Sequence, residues 1–361
     1  MKNEGKNGAV SDIMPTLEPN ELVNDICQII DNSRNKVAVI ANYETTMLFW
    51  HIGNRINTEV LDRKRAEYGK QIVINLSKIL QERYGSKGYE VRSLRRMMQF
   101  AQLFSDFQIV SQAATQLSWS HFIELLPLKD ELQREFYITM ACYERWGRNT
   151  LRDKIDGMLY ERTLISGKPD EFIKTELSKL RDENVLSPDL VFKSPYFLNF
   201  AGLKGYYNEK SLEDNLIFGL EQFILELGVG FSFVERQKRM IIDGEDFYLD
   251  LLFFHRKLKR LIAIELKLGR FKAAYKGEME LYLRWLEKYE TEDGEESPLG
   301  LILCAEGGHE KIELLQLDKS GIKVAQYLTE LPEKRLLQEQ LRKQILIAKE
   351  KFGEQLEYEG E

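Results

Sequence analysis

The chain has 361 residues, a formal net charge of −7, and is 43% hydrophobic and 30% charged, a balance that supports a packed core and excludes a disordered polyelectrolyte or a low-complexity chain. Three well-separated cysteines (Cys27, Cys142, Cys304) without a CxxC exclude a disulfide framework and a cysteine zinc site, and no apolar run reaches the ~18 residues of a membrane span. The expectation is a cytoplasmic chain with no membrane partner and, at roughly 100–200 residues per domain, two domains with appendages.

Residues 1–20 are polar, carry acids and read as a flexible leader, not a secretory signal. From 21 to 165 the spacing predicts a helical domain. Leu22, Ile26, Ile29, Ile30, Val37, Ile40 and Met47 recur at helical intervals. A helix ending near Tyr84, a turn holding Gly85 and Gly88, and a second helix over Val91–Phe104 form a helix-turn-helix candidate. The stretch Arg63–Arg96 holds ten Lys/Arg against three acids. Arg92, Arg95 and Arg96 stand near the start of the second helix, where such a motif meets nucleic acid, and Lys87 in the turn before it is counted with them. The bland alternative is a solvated basic face. Three more helices are predicted over Ser118–Leu126, Asp130–Trp146 and Asn149–Arg162, with Ser118 and Asn149 as N-caps.

The stretch 166–205 reads as a connection holding one short helix. The period then changes over 206–330, in the order helix, three strands, helix, strand, short helix, strand. The helix is Ser211–Leu227. The strands are Phe231–Ile242, Phe247–Phe254, Leu261–Leu266, Leu299–Cys304 and Ile322–Tyr327, and a helix over Tyr275–Tyr289 divides them. Asp243-Gly244 is a hairpin turn signal. The tail, 331–361, is a charged amphipathic helix with an acidic end, expected to dock on its own chain or to join copies into a homo-oligomer.

Three ionisable residues interrupt otherwise apolar strands: Asp250 in FYLDLLFF, and Glu265 and Lys267 in LIAIELK. Burying a charge costs several kcal/mol unless it is paired or binds a metal. If the turn between these strands centres on Lys257-Leu258, paired residue numbers sum to 515 and Asp250 faces Glu265. If the Asp243-Gly244 hairpin pairs at a sum of 487, Gln237 faces Asp250 from the other side. Gln237, Asp250, Glu265 and Lys267 then point from one face. Two opposed carboxylates are hard oxygen donors suited to Mg2+ or Mn2+, and Lys267 is placed to orient a water or to stabilise charge. Glu213 or Glu221, eight residues apart on the preceding helix, can complete the set.

These segments resemble the PD-(D/E)XK nuclease superfamily, with Asp250 as its Asp and Glu265-Leu266-Lys267 as its ExK. LEDNLIFGLEQFILELGVGFSFVERQKR, FYLDLLFFHRKLKRLIAIELKLG and YKGEMELYL are similar to YhcG-like proteins, as are LSWSHFIELL and REFYITMACYERWGRNTLRDKI in the helical half. The resemblance implies a winged-helix-like N-terminal domain followed by a restriction-endonuclease-like αβββαβ domain with a mixed sheet. It implies Asp250 and Glu265 as metal ligands, Lys267 as catalytic lysine, Glu213 rather than Glu221 as the helix acid, and Gln237 as a site residue. The position before the Asp is Leu249 where the superfamily's name has Pro. The function so implied is metal-dependent hydrolysis of phosphodiester bonds, in DNA before RNA. The rival is a DNA-binding or scaffold protein that keeps the fold without catalysis.

Other polar signals read as structural. Tyr248 and Tyr282 are expected to pack, Lys276 to be solvated, and the four histidines have no ligand spacing. No GxxxxGK[ST] is present to bind a nucleotide.

Overall fold

Ten helices take up the first half of the described chain: α1 (Glu21–Asp62), α2 (Ala66–Tyr84), α3 (Val91–Leu103), α4 (Phe107–Ala114), α5 (Trp119–Leu125), α6 (Glu131–Glu144), α7 (Arg148–Asp156), α8 (Leu159–Leu164), α9 (Asp170–Glu183) and α10 (Pro188–Val191). The structure, a computed structural model, describes residues 21–346 apart from 63–65, 86–87, 165–169, 202–207, 307–311, 313, 330–332, 334 and 344. The leader, Lys87 and the acidic end of the tail lie outside the described residues. Among those residues no helix is long and apolar enough to cross a membrane. Two compact units divide at Ile123 and Glu124, within α5.

In the first unit α1, α2 and α3 share a core of Ile56, Val73, Leu94 and Met97. Gly53 lets α1 lie directly on α3, since a Cβ there would stand 1.9 Å from the Met97 carbonyl oxygen. Trp50 Nε1 donates to the Phe104 carbonyl at 2.8 Å and Asn57 Nδ2 to that of Met98 at 2.9 Å, so the chain leaving α3 is tied back to α1. The predicted helix pair is present as α2 and α3. α4 was not foreseen; Asp106 caps it by accepting from the Gln108 and Ile109 amides. Toward its start α1 leaves Ile26, Ile29, Ile30, Val37 and Ile40 exposed.

In the second unit Asp130, the first residue of a predicted helix, caps α6, its Oδ1 accepting from the Leu132 amide. Asn149 is not a cap. Gly147 holds that position, and the single predicted helix breaks into α7 and α8 at Gly157-Met158, where Met158 takes a φ of 53°. The connecting stretch supplies a short strand, β1 (Tyr196–Phe197), ahead of α11 (Glu209–Phe218) and α12 (Leu220–Leu227). Then follow β2 (Phe231–Ile242), β3 (Glu245–His255), β4 (Arg260–Arg270), α13 (Ala274–Tyr289), β5 (Leu299–Glu306) and β6 (Ile322–Leu328).

The sheet order is β1-β6-β5-β4-β3-β2. β2, β3 and β4 pair antiparallel, and β4, β5, β6 and β1 pair parallel. It is thus a mixed sheet, with its parallel half buried on both faces as such sheets are. α11 and α12 cover one face through Leu212, Leu216, Phe223 and Leu227, against Leu251, Phe253, Ile262, Ile264 and Leu303. α13 covers the other through Met279, Tyr282, Leu283 and Leu286, against Leu252, Ala263, Ile302 and Cys304. A buried ion pair, Arg162 Nη1 to Glu226 Oε1 at 2.6 Å, binds α8 to α12, and the same oxygen accepts from the Phe197 amide at 2.8 Å. Residues 335–343 of the tail are helical, and Leu337 and Leu341 pack on Met158, Phe197 and Leu328 of their own chain.

Candidate active site

Both predicted registers are present. β3 and β4 pair as Phe254–Leu261, Phe253–Ile262, Leu252–Ala263 and Leu251–Ile264, and β2 and β3 as Ile242–Glu245, Arg239–Tyr248, Lys238–Leu249 and Arg236–Leu251. Main-chain pairing of β3 with β4 stops one step before Asp250 and Glu265, and side chains take over. The Asp250 amide donates to Glu265 Oε1 at 3.2 Å, and the Leu266 amide donates to Asp250 Oδ2 at 2.8 Å. Gln237 Nε2 donates to Asp250 Oδ1 at 3.1 Å.

The backbone is irregular at this level. Leu249 and Leu252 belong to one apolar cluster while Leu251 and Phe253 belong to the other, so the two-residue alternation slips by one at Asp250. In the neighbouring strand Gln237 has a φ of 50°, a left-handed conformation that a non-glycine residue holds only when its surroundings over-determine it.

Lys267 lies beside the pair. Its Nζ is 2.7 Å from Glu265 Oε2 and 3.3 Å from Glu278 Oε2, and 5.2 Å from the centre of the Tyr275 ring. Tyr282 donates its hydroxyl proton to Glu278 Oε1 at 3.2 Å. Tyr275, Glu278 and Tyr282 follow each other on α13 at intervals of three and four, one helix face. Tyr282 is buried, as expected, yet its phenol belongs to the site. Burial, then the negative charges of Glu265 and Glu278, raise that phenol's pKa.

Burial first, and the charge of Asp250 second, push Glu265 up to about 8, although Lys267 acts to lower it. Burial likewise raises Asp250; Glu213 adds to the rise, while the Leu266 amide, Lys267 and Gln237 oppose it. Lys267 is raised, because Glu265 and Glu278 outweigh its own desolvation. One cation, Lys267, thus serves the buried Glu265, the half-buried Asp250 and a third acid at the rim. A divalent ion would complete the compensation, and the donors facing each other, carboxylate oxygens, are the kind Mg2+ or Mn2+ takes.

Glu213 comes from the layer on the opposite side of the sheet. Asn208 caps α11, its Oδ1 accepting from the Ser211 amide at 2.7 Å, and the next turn buries Glu213 at 6% exposure. Its Oε1 accepts from Arg236 Nε at 2.6 Å, and Arg236 Nη2 bonds Asp214 Oδ1 at 2.5 Å. Among the described residues no three His, Cys, Asp or Glu side chains converge closely enough to hold a metal ion. The predicted Ser211–Leu227 helix breaks at Gly219, where a Cβ would stand 2.9 Å from the Phe200 ring. Glu221 thereby falls on α12, exposed to solvent.

Sequence reasoning passed over Arg236 and Glu278. For Glu278 the signal was its helical spacing from Tyr275 and Tyr282; for Arg236 there was none, because its partners sit on another element. Tyr248, expected to pack, is exposed beside Arg239. Lys276, expected in solvent, donates to the Leu315 carbonyl at 3.0 Å. Arg92 and Arg95 are exposed and Arg96 half-buried in the first two turns of α3. They belong to the first unit.

Residues 25–162 match the family described as "DUF1016 N-terminal domain", and residues 189–344 match "YhcG PDDEXK nuclease domain". A curated relative from Escherichia coli (strain K12), "Putative nuclease YhcG", is 32% identical over 354 residues, covering 89% of this chain and 93% of that protein. Two solved structures show slight likeness. A repair endonuclease from Pyrococcus abyssi has a TM-score of 0.25 and 21% identity over 36% of this chain and 50% of its own. EndoMS in complex with double-stranded DNA has a TM-score of 0.27 and 17% identity over 36% of this chain and 51% of its own. The chain thus spans about half of each solved structure, and at these scores neither bears on what it does. Extended identity to the curated relative, with both halves matched in order, makes this chain a member of the YhcG family, a DUF1016 N-terminal domain followed by a PDDEXK nuclease domain.

Proposed function

We propose that the chain is a metal-dependent endonuclease that hydrolyses phosphodiester bonds in DNA. The observation that carries this reading is the pair Asp250 and Glu265, each bonded to the other's strand, with Lys267 2.7 Å from Glu265. Asp250 and Glu265 would hold Mg2+ or Mn2+, with Glu213 as the third acid. The bound ion supplies a polarised phosphoryl group and a more acidic water. Gln237 fixes the Asp250 carboxylate by donating to its Oδ1. Lys267 orients the attacking water and offsets the charge that develops on phosphorus oxygens. Glu278 and Tyr282 keep the ammonium in place from α13.

The helical half is proposed to meet DNA through Arg92, Arg95 and Arg96 on α3, together with Lys87, which precedes them in the chain. Cations in the first turns of a helix oppose its dipole, so these arginines do not serve the stability of α3. Neutralising all three should weaken DNA binding and lower its salt slope by about 0.9 per lost phosphate contact, read by titration at several salt concentrations. A wild-type salt slope in the triple variant would remove α3 from the interface. A cytoplasmic setting belongs to this reading. The tail helix, whose Leu337 and Leu341 are committed to their own chain, is left a minor part in any homo-oligomer.

The test of catalysis is nicking of supercoiled plasmid with Mg2+, with Mn2+ and with EDTA. Nicking that needs the ion and is lost in Asp250→Ala and Lys267→Ala supports the reading; nicking that survives both substitutions overturns it.

A further inference from the structure

Arg236 occupies the one acid that stands apart from the site. Glu213 is buried, and its charge adds to the rise that burial imposes on Asp250. Its carboxylate nonetheless bonds Arg236 rather than joining Asp250 and Glu265. Arg236 is held from two sides, by Glu213 on Nε and by Asp214 on Nη2. It immediately precedes Gln237, the residue with left-handed backbone whose side chain grips Asp250. The guanidinium side chain keeps 34% of its surface in solvent, so it can swing outward without opening the core.

We propose that Arg236 is a latch on the cation site: it holds Glu213 in the resting protein, and a divalent ion binds in full only by displacing it from that carboxylate. This rests on the nuclease reading above. An arginine and a divalent ion compete for the same oxygen lone pairs, and a carboxylate bonded to a guanidinium fork is a poorer ligand than a free one. Asp214 makes the latch reversible, because it keeps one end of the guanidinium on α11 after Glu213 turns. The ion pair is only partly buried, which keeps its strength within what a divalent ion overcomes.

The latch predicts an affinity that rises when an arginine is removed. Mn2+ binding to the full-length chain is followed by electron paramagnetic resonance of the free ion, without DNA. Arg236→Gln should bind Mn2+ roughly fivefold more tightly than wild type, the change expected from losing a competing ion pair of ordinary strength. Asp214→Asn, which loosens the latch without touching a proposed ligand, should give a smaller gain. Arg239→Gln removes an equal charge from the same strand, one paired with Asp246 instead, and should change nothing. In a Glu213→Gln background Arg236→Gln should add no affinity, because the acid it would free is gone.

Equal affinity in wild type and Arg236→Gln, or an equal gain from Arg239→Gln, overturns the latch and leaves the nuclease reading standing. A wild-type chain that takes up no Mn2+ overturns the latch and the metal-dependent reading together. Thermal melts of each variant confirm that the comparison is between folded proteins.

Discussion

The same two strands, β3 and β4, are held in two ways on either side of one residue. From Leu251 to Phe254 they pair by main-chain hydrogen bonds, and each side chain enters one of two apolar clusters. From Asp250 onward the ladder gives way to carboxylates that accept main-chain amides. The apolar half is interchangeable with any well-packed sheet, and its work is to set register. The polar half depends on that register absolutely, since a one-residue slip would send Asp250 to the opposite layer. A fold of this kind keeps stability and chemistry on one ribbon yet assigns them to separate residues.

That division can be broken from either side. Asp250→Ala or Lys267→Ala should cut the nicking rate by at least about 10²–10³-fold while leaving the far-ultraviolet circular dichroism of the wild type. Loss of the folded spectrum would mean that the polar half also carries the structure. Phe253, fully buried on the α12 face, should behave in the opposite way. Phe253→Ala should cost about 3–5 kcal/mol in urea denaturation, with residual nicking in proportion to the folded fraction.

Cations sharpen the contrast. Mg2+ at about 100 times its Kd should add about 2.7 kcal/mol of stability, read from the calorimetric melting temperature. Asp250→Asn should remove most of that gain, whereas Phe253→Ala should keep it. A gain of the same size in Asp250→Asn would place the stabilising ion elsewhere.

The smallest effect concerns His255, at the far end of β3 from the site. Its ring is buried against Phe231, and Nδ1 accepts from the Leu258 amide at 3.1 Å. Burial pushes its pKa down to about 4 from 6.5. A depressed pKa means that the fold favours the neutral ring, so this contribution is fully present above pH 6.5 and is lost as pH falls toward 4. Between pH 7 and 4.5 the wild type should therefore lose stability faster than His255→Phe. Parallel slopes for the two proteins would show that the ring charges without cost.

How much of this was legible beforehand depends on distance along the chain. Asp250, Glu265 and Gln237 were found from two hairpin registers, because turn position and apolar alternation fix which residues oppose each other across neighbouring strands. The α2–α3 pair was read from apolar spacing and a glycine turn. The breaks at Gly219 and at Gly157-Met158 were not, since apolar residues continue in phase across both and only the packing of Phe200 and the turn at Met158 decide them.

The sequence by itself determined the partners of the three antiparallel strands, the order of helices and strands around them and the three polar groups that emerge from apolar strands, since each follows from a local period or a short turn. Tertiary structure alone decided that Arg236 takes Glu213, that Glu278, bonded by Tyr282, reaches Lys267 from α13, and that β1 closes the sheet from a stretch that looked like a connection. Those contacts join elements whose facing sides are fixed by how layers pack, and no periodicity within one element encodes its distance to another.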